Sequence, residues 1–131
     1  MRKLFFALMA ALVLASCGSK KDANELAKEL TPVLTTATES LKKAQSGSDV
    51  IAAIDKLVAD EAAIVENYPD EAFNDFNYMA QDEFEKAHPE NGPAYFKAHF
   101  DFVNALYSVE DLVDEDKRQG MWKKRHTTRI I

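Results

Sequence analysis

Proline and glycine punctuate this chain at wide intervals, and between the punctuation the apolar residues recur with helical period. Past residue 22 the breakers are Pro32, Gly47, Pro69, the group Pro89, Gly92 and Pro93, and Gly120. The stretches between them place apolar side chains three and four residues apart, which reads as helices joined by short connections. The first helix is expected over Ala23–Ala44, with Leu26, Leu30, Val33, Leu34, Ala37 and Leu41 on one face. Pro32 falls inside it and predicts a kink, or else a break with Thr31 capping a new start. Gln45-Ser46-Gly47 ends that helix, and Ser48 or Asp49 is the expected cap of a second, Asp49–Glu66, with Val50, Ile54, Leu57, Val58, Ile64 and Val65 on one side.

A third helix is expected over Asp70–Ala87, after the stop at Asn67-Tyr68-Pro69, with a narrow stripe of Phe73, Phe76, Ala80, Phe84 and Ala87. A fourth, from Pro93 to about Glu115, is apolar over most of its circumference. Short connections make neighbouring helices antiparallel, so the expected fold is all-α, a small up-down four-helix bundle over residues 23–116. Nine aromatic residues lie between Phe73 and Tyr107, which concentrates the core in the hairpin of the third and fourth helices.

The segment ahead of the helices has another character. Arg2 and Lys3 are followed by an unbroken apolar run, Leu4 to Ala15. As a helix those residues reach only ~18 Å, against ~30 Å for the hydrocarbon core of a bilayer, which suits a signal peptide and not a permanent span. Leu14-Ala15-Ser16-Cys17 resembles the lipobox of bacterial lipoproteins. The resemblance covers about the first seventeen residues. It implies cleavage before Cys17, the cysteine thiol alkylated with diacylglycerol, and a mature amino terminus carrying three acyl chains, palmitate-like in kind. At about 0.8 kcal/mol per buried CH₂, one chain holds marginally and two hold stably. Gly18, where some lipoproteins have aspartate, implies the outer membrane. Residues 1–16 are thus an expected signal peptide and 17–22 an expected lipidated tether, with attachment to the cell envelope through lipid.

Removing 16 of the 131 residues leaves 115, enough for one domain. With Cys17, the only cysteine, used by the anchor, no thiol remains for a disulfide, a thiolate metal site or a c-type haem. Residues 18–116 hold all 22 acids and 8 bases, a net charge of −14. Residues 117–131 hold six bases and no acid, and read as a basic tail that lies on anionic lipid, docks on the acidic body or is disordered. An acidic body repels nucleic acid, which is not expected as a partner.

Three polar residues interrupt the apolar faces: Glu61 on the second helix, and His99 and Glu110 on the fourth. His99 and Glu110 are ~16 Å apart along a helix and cannot share one site. Pairing residues equally distant from the hairpin turn puts His99 near Glu83 and Met79. A histidine beside Glu83 could act as a pH-sensitive pair, and Met79 with His99 could hold a b-type haem; the blander reading is a core histidine satisfied by one hydrogen bond and a gap-filling methionine. Glu61 and Glu110 are weak metal candidates. Glu85-Lys86-Ala87-His88 has the Glu-x-x-His spacing of ferritin-like di-iron bundles, but there is one copy and it points away from the phenylalanine stripe. No nucleophile with a paired base and no glycine-rich phosphate loop stands out. The reading is a non-catalytic envelope lipoprotein without a cofactor that binds a protein or envelope component. Its alternative is a carrier of a small ligand or haem at the aromatic hairpin.

Overall fold

The computed structural model describes residues 21–126, and the lipobox with Cys17 lies outside them. The described residues are all helical and turn, with no strand: α1 Ala23–Lys43, α2 Gly47–Val65, a 3₁₀ turn Asp70–Phe73, α3 Asn74–Tyr78, α4 Gln81–Ala87, α5 Gly92–Val109, a 3₁₀ turn Glu110–Leu112, and α6 Glu115–His126.

Local chemistry starts α1 cleanly. The Asp22 carboxylate accepts from the Glu25 amide at 3.0 Å, relieving one of the amides that a helix start leaves without a partner. Pro32 stays within a continuous helix and is exposed, while Leu26, Leu30, Leu34 and Leu41 fill the buried face. The hydroxyls of Thr31, Thr35 and Thr38 donate back to carbonyls four residues earlier, at 2.7, 3.0 and 2.8 Å. The cap of α2 is Ser46, earlier than the expected Ser48 or Asp49. Its hydroxyl accepts from the Asp49 amide at 3.2 Å, and the Asp49 carboxylate accepts from the Gln45 amide at 3.0 Å. Gly47 belongs to the first turn of α2 and does not end α1. A Cβ there would lie 2.6 Å from the Leu112 carbonyl oxygen, so the glycine admits the chain that follows α5.

The four-helix bundle with a straight third helix is overturned: the described residues make six α-helices, and residues 70–87 are three short pieces. The backbone is extended at Met79 and Ala80, where α3 gives way to α4. The reason is aromatic packing. In one straight helix Phe76 and Phe84 would be ~12 Å apart along the axis, yet their ring centroids are 4.7 Å apart. Folding the segment back lets both rings meet Tyr95, whose ring lies 5.2 and 6.3 Å from theirs.

Helix α1 is the hub and packs against both α2 and α5. Lys28, Thr31 and Pro32 share a groove with Asn91 and Ala94, and Lys42 shares one with Asp101, Asn104 and Ser108, so α1 and α5 run in the same direction. The three-residue turn after α1 sends α2 back the other way.

Helix α5 ends at Val109, short of the expected Glu115, and residues expected as a tail form α6 beside α2. Arg118 fastens the turn, its Nε donating to the carbonyls of Glu110 and Val113 at 3.1 and 2.9 Å. Met121 is buried, the Trp122 ring lies 5.7 Å from that of Tyr107, and Lys124 Nζ meets Asp55 Oδ1 at 2.9 Å. The basic segment thus docks on the acidic body through a helix. No helix among the described residues is long and apolar enough to cross a membrane.

Candidate functional site

Phe76 of α3, Phe84 of α4 and Tyr95, Phe96, His99 and Phe100 of α5 form one connected set of rings. Phe84 is fully buried at its base, 5.4 Å from Phe96. Phe96 meets Tyr95 edge-on at 5.2 Å, and Tyr95 stacks on His99 at 6.1 Å and 25°. His99 in turn meets Phe100 at 5.5 Å, and Phe100 is 47% exposed. These separations and angles are those that aromatic quadrupoles favour. The ladder therefore leads from the centre of the core to the surface on the flank of α5. The rings follow one another closely, so the part of the series open to solvent is its outer end, at Phe100 beside half-buried His99. A haem between Met79 and His99 would have to displace rings already in contact.

The structure places the sequence candidates as follows. His99 is half-buried in the ladder, while Glu83 is exposed on α4 and does not join it. Met79 sits half-buried at the bend between α3 and α4. Glu61 is buried, only 2% exposed, in the row Val50, Ile54, Leu57 and Glu61 of α2. Glu110 is half-buried in the turn after α5, close to the start of α2 through Leu112 and Gly47, so the two carboxylates stand at opposite ends of α2. Among the described residues no three His, Cys, Asp or Glu side chains come together to hold a metal ion. Glu85 takes a hydrogen bond from Gln81 at 3.2 Å.

Two pairings escape a reading of the sequence. His88 turns in, its ring 4.7 Å from that of Phe84, and its Nε2 lies 2.6 Å from Asp75 Oδ2. The partners are thirteen positions apart and would lie ~20 Å from one another along a straight helix, so this histidine–carboxylate pair exists only because the segment is bent. The second pair joins the turn after α2 to α1: the Tyr68 hydroxyl donates to Glu29. Burial, that hydrogen bond and the charges of Glu29, Glu25 and Asp22 push the Tyr68 phenol well above its ordinary value. Lys21 Nζ lies 4.9 Å above the same ring, in cation–π range.

Comparison with protein-family models, with curated proteins and with solved structures finds no match.

Proposed function

We propose that the chain is a non-catalytic binding protein that takes a small planar or apolar ligand on the aromatic edge of α5, and that Cys17 holds it by lipid to the cell envelope. The observation that carries the binding reading is the ring ladder running without interruption from buried Phe84 to Phe100, which is nearly half exposed. An aromatic shelf of this kind offers stacking area with little side-chain entropy to lose, since each ring is held by the next. The anchor is supported by the basic start, the apolar run and Leu14-Ala15-Ser16-Cys17, and Gly18 favours the outer membrane.

Fluorescence titration of residues 18–131 with the neutral probe N-phenyl-1-naphthylamine tests the reading. Saturable binding of one probe per chain is expected. Phe100→Ser removes only a surface ring, so it should weaken binding about tenfold, or ~1.4 kcal/mol, with helicity retained. Absence of binding, or binding indifferent to Phe100, rejects the aromatic edge as the site.

A further inference from the structure

Helices α2 and α6 pack side by side. A groove of about 270 Å³ lies between them, lined by Ile51, Ile54 and Asp55 of α2 and by Lys117, Gly120, Met121 and Lys124 of α6. The α6 residues fall three, four and seven positions after Lys117, which puts them on one face of that helix. The floor is apolar: Ile54 and Met121 are buried, and Ile51 is half-buried. The two lysines stand ~10 Å apart along the helix, and they differ in what holds them. Lys124 Nζ meets Asp55 Oδ1 at 2.9 Å, which closes one end of the groove and neutralises the acid in its lining. Lys117, at the other end, is exposed and enters none of the ion pairs among the described residues.

Gly120 leaves the groove open. Glycine inside a helix lowers stability relative to alanine, because the backbone has more freedom to lose on folding. At Gly47 and Gly92 a Cβ would come within 2.6 and 3.2 Å of backbone atoms, so close packing accounts for those two. Nothing comparable holds at Gly120. Its φ is not positive, and a Cβ there would meet no atom within 4 Å. What its missing side chain provides is room beside Ile51, Ile54 and Met121.

We infer that this groove binds the anion of a straight-chain fatty acid, with the alkyl chain on Ile51, Ile54 and Met121 and the carboxylate at Lys117. The site shares no residue with the aromatic edge of α5 and stands independently of that reading. An alkyl chain suits a floor of aliphatic and thioether side chains, since both surfaces leave water and neither needs a hydrogen bond. The sign of the head group follows from charge: residues 117–131 hold six bases and no acid, and an ammonium offers a carboxylate three donors. The stem of Lys117 can lie along the alkyl chain while its head reaches the carboxylate. The ~10 Å between Lys117 and the closing pair suits a chain of medium length.

Calorimetric titration of the full chain in a non-ionic detergent with octanoate, octanol and octylammonium tests it, each probe being titrated into detergent alone as the blank. The chain carries a net charge of −6, so its overall field favours the ammonium, and a preference for the carboxylate has to arise locally. Octanoate should bind at least threefold more tightly than octanol, and octylammonium more weakly than either. Lys117→Gln should make octanoate and octanol equal. Gly120→Leu occupies the groove and is the better helix former, so octanoate binding should fall at least tenfold with thermal stability retained. Lys117→Gln changes an exposed side chain and serves as the reading if Gly120→Leu proves unfolded by circular dichroism. Phe100→Ser should change none of these affinities. Equal binding of octanoate and octanol by the wild type overturns the inference, as does a preference that survives Lys117→Gln. Binding kept in folded Gly120→Leu but lost in Phe100→Ser also overturns it and moves the probe to the aromatic edge. If octanoate binds only after residues 127–131 are deleted, the chain's own end is the occupant and the inference fails. Absence of octanoate binding overturns it outright.

Discussion

Tyr68 shows how much one side chain can settle when its partners come from distant parts of the chain. Its ring closes the turn after α2 against α1, and its hydroxyl donates to Glu29, 39 residues earlier. Burial disfavours the charged phenolate, and its hydrogen bond to Glu29 and the nearby acids add to this, which is why its pKa lies well above the ordinary 10.0. The folded state thus favours the protonated form. That contribution to stability is complete below pH 10 and is lost as the pH rises beyond it, because the unfolded chain then gives up a proton that the folded one keeps. Tyr68→Phe should cost roughly 1–2 kcal/mol at neutral pH, as expected for a hydrogen bond to a charged acceptor. Its stability deficit relative to the wild type should narrow above pH 10. Urea denaturation across that range checks it, and a deficit that stays constant with pH would count against the assignment. Tyr68 was legible beforehand only as part of a stop signal with Asn67 and Pro69. Its acceptor was invisible, because no local spacing links residue 68 to residue 29.

Among the elements, the segment from Asp70 to Ala87 is the instructive one. Phe73, Phe76, Ala80, Phe84 and Ala87 satisfy the helical period, and a single amphipathic helix follows from them. Yet Ala80 and Ala87 are exposed, while Phe73 and Phe84 are buried. The periodicity is shared by two short helices and a turn, which keep the spacing within each piece and redirect it at Met79 and Ala80. What favours the bend is the convergence of Phe76, Phe84 and Tyr95, with His88 and Asp75 fastening its two arms at 2.6 Å. His88→Ala removes both that bond and the face packed on Phe84, so a loss of about 2 kcal/mol is expected. For a domain of this size that is a fall in Tm on the order of 10 °C. Asp75→Asn keeps an acceptor for the ring and should cost less. Thermal unfolding of the two variants decides, and an unchanged Tm in His88→Ala would mean that the rings alone hold the bend. Helix α6 teaches the same lesson from the other side. Its residues are too polar to show a stripe, and Met121 and Trp122, set against α2 and Tyr107, join Arg118 and Lys124 in making the segment part of the fold.

On the scale of the whole molecule, the proposed anchor and the helical body are separate devices. The described helices contain no cysteine. Cys17→Ala should therefore move the exported protein from the membrane fraction to the soluble fraction, abolish incorporation of labelled palmitate, and leave the thermal unfolding of the body unchanged. Retention in the membrane by the variant would refute a lipid anchor at Cys17. Two things about the protein follow from the sequence by itself. It builds with helices, because apolar residues repeat at three and four, and those helices begin and end near 23, 44, 66 and 92, because Asp22, Ser46, Pro69 and Pro93 act on the backbone next to them. Tertiary structure alone decided that residues 70–87 bend, that the basic end docks as α6, and that His88 meets Asp75. Each of these depends on a contact between residues whose distance in space no local pattern encodes, and burial of large rings outweighs the modest helix propensity of a single turn.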